Sequence, residues 1–134
     1  MVSSLFFKCN DFEFHIVSRQ AASFVVGLSA AERARFLVAC ESLAGCLADG
    51  SPPVRSRLIK GAKLHGLFAI LVDWPAISRP KLRLLAVRDR DRILIARGLR
   101  SRDGGISAAE VRRAEAVLSE HRGRGGERER GTAR

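Results

Sequence analysis

Residues 67–99 read LFAILVDWPAISRPKLRLLAVRDRDRILIARGL, and the three apolar runs within them decide the fold class. Leu67 to Trp74 is almost continuously apolar, as a central strand covered on both faces would be. Leu82 to Val87 and Ile93 to Leu99 read as two further strands. Pro75 to Pro80 supplies a turn, and Arg88-Asp-Arg-Asp-Arg92 is short, polar and suited to a hairpin loop. The stretch predicts an antiparallel meander of three strands.

Working outward towards the N-terminus, Phe12, Phe14 and Ile16 alternate with Glu13 and His15, the period of two of a half-buried strand. Ser18 is placed to cap a short helix through Leu28, which Val25, Val26 and Gly27 make a weak one. Ser29-Ala-Ala-Glu32 is a capping box that opens a stronger helix, with Phe36, Leu37, Cys40, Leu43, Ala44 and Leu47 recurring at threes and fours. Asp49-Gly-Ser-Pro-Pro53 ends it. The two helices form a hairpin with an apolar inner face, and the strand before them pairs against the meander. Towards the C-terminus, Ser107-Ala-Ala-Glu110 is a second capping box, with Ile106 and Val111 at the positions of a hydrophobic staple. Val111, Ala114, Val117 and Leu118 make an apolar stripe as far as about Glu120, and from His121 onward only Ala133 is apolar.

These elements predict an α+β fold with an N-terminal strand and helical hairpin packed on a small antiparallel sheet of about four strands, plus a C-terminal helix. One domain is expected over residues 1–120, with a disordered basic tail over 121–134. The start, MVSSLFFKCNDFEF, lacks the charged region, long apolar region and small-residue cleavage site of a secretory leader, and no apolar run has membrane-spanning length, so a cytoplasmic protein is expected. Cys9, Cys40 and Cys46 form no CxxC pair and have no His at metal-ligand spacing; free thiols, no metal and no cofactor are expected. No HExxH, EF-hand, GxSxG or Walker pattern occurs, and Gly104-Gly105 only shapes a turn.

Charge is concentrated on the expected sheet. Residues 55–102 carry 13 Lys and Arg against 3 Asp, whereas the flanking segments are close to neutral within a chain of net charge +10. A positive field confined to one element attracts a polyanion or an acidic protein.

The order of elements in a basic chain of this length resembles the RelE/ParE superfamily of bacterial toxins, nearest to its HigB, phage-derived branch. Three segments carry the resemblance: Phe12-Glu-Phe-His-Ile-Val-Ser-Arg-Gln-Ala21; Arg57-Leu-Ile-Lys60 followed by His65-Gly-Leu-Phe68; and Ile93 to Arg102 followed by Ala109-Glu-Val-Arg-Arg-Ala114. The likeness spans about residues 10–120. It implies the toxin of a type II toxin–antitoxin system, neutralised by a cognate antitoxin and acting as a metal-independent endoribonuclease on mRNA at the ribosome; other members poison gyrase. The chain departs from the pattern at Ala69-Ile-Leu71, where many members carry Glu-Leu-Arg, at Arg100-Ser-Arg102, where the branch often has a Lys pair, and in having no Tyr. Those departures bear on cleavage rather than on fold.

Cleavage without metal needs a base for the 2′-hydroxyl, an acid for the leaving oxygen and cations on the phosphorane. His65 is the one residue of the 55–102 segment with a reference pKa near neutrality, against the ordinary alternative of an exposed or structural histidine. Arg83 and Arg102 are the candidate phosphorane cations, and Lys60, Lys63, Arg97 and Arg100 the candidate phosphate contacts. For each the ordinary alternative is a solvated or salt-bridged side chain. Strand alternation sets Arg97 on the face opposite Arg100 unless a bulge intervenes at Gly98. Arg88, Arg90 and Arg92, interleaved with Asp89 and Asp91, read as a solubilising loop tip, and Trp74 as a lid on the core. Two further readings stand beside the nuclease: a non-cleaving toxin-fold protein that binds gyrase, a ribosomal site or another protein, and a general nucleic-acid-binding module.

Overall fold

The computed structural model describes residues 4–53, 55–73 and 80–132, with side chains described for 5–121 of these. Trp74 and the turn over 75–79 lie outside the described residues. In chain order the elements are β1 (Ser4–Cys9), β2 (Phe12–Ile16), α1 (Arg19–Val26), α2 (Ala30–Asp49), β3 (Ser56–Leu58), β4 (Phe68–Val72), β5 (Lys81–Asp89), β6 (Arg92–Ser101) and α3 (Ala108–Thr132).

The class is α+β as expected, but the sheet has six strands, in the order β1-β2-β6-β5-β4-β3. The meander β4-β5-β6 is antiparallel, and β2 joins it by pairing parallel to β6 over Arg92–Ile95. The two strands beyond the expected four are the edges. β1 folds back on β2 through Asn10 and Asp11, both at positive φ as a tight hairpin turn requires, and a register shift between Leu5 and Phe7 blurs its alternation. β3 is three residues, Ser-Arg-Leu, too short and polar to show a pattern; short charged strands are a common way to blunt a sheet edge.

Helices cover both faces. On one, α1 and α2 bury Ala21, Val25, Phe36, Cys40 and Leu43 against Phe12, Phe14 and Ile16 of β2, Leu82 and Leu84 of β5, and Ile93 and Ile95 of β6. On the other, Ala114 and Leu118 of α3 pack on Ala69, Leu85, Val87, Leu94 and Ala96. The near-continuous apolar runs thus face helices on both sides. Three thiols are free, Cys40 buried in the hairpin-side core, where desolvation pushes it up. α1 is capped as read, with Ser18 accepting from Ala21 N–H. The box at Ser29 and Glu32 is complete, and α2 ends at Gly50 in the left-handed conformation. The box at Ser107 is half made: its hydroxyl accepts from Glu110 N–H, while the Glu110 carboxylate turns to Arg97 and Arg113. The backbone of α3 is helical to Thr132, beyond the point where the apolar stripe ends and a disordered tail is expected.

A β-bulge sits in β6. Leu85 faces Arg97 and Ala86 faces Ile95, so Ala96 is the extra residue. It exchanges the sides of every later position, which places Gly98 beneath α1, where a Cβ would lie 2.3–2.9 Å from the Phe24 ring. Gly98→Ala is expected to destabilise the protein by about 1–3 kcal/mol through overpacking. A urea melt checks it, and combining the change with Phe24→Leu should recover part of the loss.

Candidate functional site

The seven residues singled out from the sequence do not converge. Arg83 projects from β5 to the α3 face and is only 4% exposed. Its guanidinium donates to Asp73 Oδ1 at 2.7 Å, to Gly104 C=O at 3.2 Å and to Leu82 C=O at 2.9 Å. A buried guanidinium is tolerable only when so bonded, and every bond here is to the protein itself. Gly104, at positive φ, is pressed so close that a Cβ would stand 2.5 Å from Arg83 Nη2, and Arg57 Nη2 reaches the same carbonyl at 3.4 Å. Arg83 is therefore a clamp on the segment that leads into α3, not a free phosphorane ligand.

Arg97 and Arg100 are committed too, on opposite faces. Arg97 lies on the α3 face and donates to both oxygens of Glu110, at 2.8 and 3.3 Å. A bulge at Ala96 turns it to that face, and with none at Gly98 the two arginines stay on opposite faces, as alternation predicts. Arg100 points to the helical-hairpin face, stacks 5.5 Å over the Phe24 ring and forms a fork-to-fork pair with Glu32. The Arg100 guanidinium is the main cause that holds the Glu32 carboxyl well below its usual 4.5, at about 2; Arg97 likewise lowers Glu110.

The remaining candidates are exposed. Lys60, Lys63 and His65 lie in the β3–β4 loop, where Leu64 N–H is held by Glu115 of α3, and Arg102 follows the end of β6. None of the four makes a hydrogen bond or ion pair among the described residues. The β3–β4 loop adjoins Phe68, paired with Ala86, and Arg102 adjoins Ser101, paired with Lys81. Five residues of β5, roughly 17 Å at about 3.3 Å each, separate those two ends of the sheet. His65 thus has no candidate cation beside it except the loop lysines. His15, on β2, is mostly buried and bonded through Nε2 to Glu13 at 2.8 Å, its Nδ1 without a partner among the described residues. The expected loop over Arg88–Arg92 is shorter: Arg88 lies in β5, stacked on Phe12, Arg92 opens β6, paired with Asp89, and the turn itself is Arg90-Asp91.

What the fold does build is an open groove of about 560 Å³ over the last third of β6. Gln20 and Phe24 of α1 form one wall, Ser107 and Glu110 at the start of α3 the other, and Arg97, Gly98, Arg100 and Ser101 the floor. Two of the predicted cations line it. Gln20 carried no signal in the sequence beyond its place in the resemblance. Glu32 and Glu110 read there only as capping residues, and Asp73 falls within the Leu67–Trp74 strand run, although β4 ends at Val72. No cluster of three or more His, Cys, Asp and Glu able to hold a metal occurs among the described residues. Also among them, no helix is long and apolar enough to cross a membrane.

Two outcomes follow from the bonding. Arg83→Met removes the buried donors to Gly104, Leu82 and Asp73, leaving the Gly104 carbonyl only the longer bond from Arg57, and is expected to cost about 1–3 kcal/mol in a denaturant melt, whereas Arg102→Ala stays within about 0.5 kcal/mol. Because Glu32 is depressed in the folded state, its pairing stabilises above the unfolded carboxyl pKa and is lost as pH falls from about 4.5 to about 2. The difference in stability between wild type and Glu32→Gln should shrink across that window. No family model, curated protein or solved structure matches the chain.

Proposed function

We propose that the chain is the toxin of a type II toxin–antitoxin pair on a RelE/ParE-like scaffold, and that it arrests growth by occupying a macromolecular target, gyrase or a ribosomal site, rather than by cutting RNA. Support for the scaffold is the element order: a strand, a helical hairpin, a three-strand meander and a terminal helix, with a sheet in which β2 lies beside β6. The three resembling segments fall on β2 and α1, on β3 and β4, and on β6 and α3.

One observation carries the non-cleaving mode. The groove's two arginines are closed by the carboxylates of Glu110 and Glu32, and a third carboxylate, Asp103, lowered by the hydrogen bonds it accepts from Gly105 N–H and the Ser101 hydroxyl, is tied to the floor. Glu32, held at about 2, is a weak base and at pH 7 holds a proton in only about one molecule in 10⁵, so it is no acid either, and Glu110 is lowered in the same direction by Arg97. His65 lies elsewhere, in the β3–β4 loop. The groove is equipped to hold a ligand and not to move protons.

The endoribonuclease reading keeps one observation in its favour. Arg100 is 40% exposed, and a solvent-facing pair is worth at most about 1 kcal/mol, so an arriving phosphate can take the guanidinium from Glu32. Induced expression followed by mapping of mRNA 5′ ends separates the two. Growth arrest without new ends, relieved by co-expressing the product of an adjacent small reading frame as cognate antitoxin, supports the binding mode. New 5′ ends that vanish in Arg100→Ala establish cleavage instead, and unchanged growth on induction overturns the toxin reading altogether.

A further inference from the structure

The groove over β6 contains a feature that the toxin reading does not use: a sheet edge that stops being paired partway along. β2 pairs with β6 only as far as Ile95, and the last main-chain bond between them is from Val17 N–H to Ile95 C=O. The chain then turns into α1, and two side chains continue the job. Ser18 Oγ donates to Ala96 C=O, and the Gln20 carboxamide both donates to Gly98 C=O at 2.6 Å and accepts from Gly98 N–H at 2.8 Å. One side-chain amide thus does what a peptide unit of a neighbouring strand would do.

Beyond Gly98 nothing among the described residues does so. Gly98 stands opposite Leu84 and Arg100 opposite Leu82, two positions apart in an antiparallel ladder. Since Gly98 turns its N–H and C=O away from β5 to Gln20, the alternation of the ladder turns those of Arg100 to the same side, into the groove. We propose that this open edge of β6 is a docking site for an extended, acidic peptide segment of a protein partner, added as a strand beside Arg100. The proposal rests on the ladder and holds whether or not the chain is a toxin.

Gln20 shows which chemistry fits the edge, namely an amide presenting both a donor and an acceptor. Charge selects the side chains. Arg19, beside Gln20, and Arg102, beyond Ser101, are exposed and make no hydrogen bond or ion pair among the described residues. A strand laid along β6 presents alternate side chains to one face, where acidic residues would meet these cations. A second copy of this chain is disfavoured, because edge-to-edge pairing would set Arg100 and Arg102 against like charges. A nucleic acid strand has no alternating amide donors and acceptors to continue the ladder.

The test is a ¹⁵N-resolved titration of the whole protein with a synthetic seven-residue peptide alternating valine and glutamate. Binding should shift the Gly98–Ser101 amides and slow hydrogen exchange at Arg100. N-methylating alternate amides of the peptide, or making Arg100→Pro, should weaken binding by about tenfold, the equivalent of one or two net hydrogen bonds. Proline is tolerated at an outward-facing edge position, and Arg100→Ala, which keeps the main-chain donor, should retain protection at its own amide. Equal binding of the N-methylated peptide, or unchanged exchange at Arg100 at saturation, overturns the proposal. So does protection of that amide by a single-stranded RNA decamer alone, or by dimerisation without peptide.

Discussion

Three arginines on one sheet need three sets of acceptors, and meeting that need shapes the molecule. Arg83 is the most demanding, since an arginine with almost no solvent contact must be bonded wherever it points. It draws in the carbonyl of Gly104 and the carboxylate of Asp73, and so pins the segment between β6 and α3 against the sheet. Arg97 then fixes the first turn of α3 through Glu110, and Arg100 fixes the first turn of α2 through Glu32. The cations that make the sheet attractive to an anion are also the ties between the sheet and the helices on its two faces.

A single inserted residue distributes those ties. With Leu94 and Ala96 facing α3, strict alternation would send Arg97 to the helical hairpin and Arg100 to α3. The bulge at Ala96 reverses both, so that Arg97 meets Glu110 and Arg100 meets Glu32. It also brings Gly98 under Phe24, a contact that only glycine permits. Bulges re-aim side chains, and here the re-aiming separates two guanidinium groups that a flat strand would also have separated, but to exchanged partners.

This bears directly on the chemistry open to the protein. An exposed, unpaired arginine cluster is a ready phosphate site; the same arginines closed by carboxylates are structural until a ligand competes successfully. Competition is easiest at Arg100, the more exposed of the groove's two pairs, and hardest at Arg83. The ladder alternation that turns the main chain of Arg100 into the groove is what favours the proposed peptide there over a reacting phosphodiester.

Most of the architecture was legible in the residues themselves, because it depends on local order. The strand over Phe12–Ile16, the two capped helices, the apolar runs of the meander and the start of α3 follow from periodicity and from which side chains bond their own backbone nearby. β1 and β3 escaped, being a bulged edge and a three-residue edge whose pairing comes from partners and not from pattern. The excess of cation over residues 55–102 was plain as composition, yet its meaning was not. Glu32 lies 68 positions from Arg100 and Glu110 lies 13 from Arg97, outside that segment altogether. Segment charge is additive along a chain, whereas neutralisation depends on distance in space, and only the folded sheet, with its parity set by one bulged residue, decides which carboxylate each arginine meets.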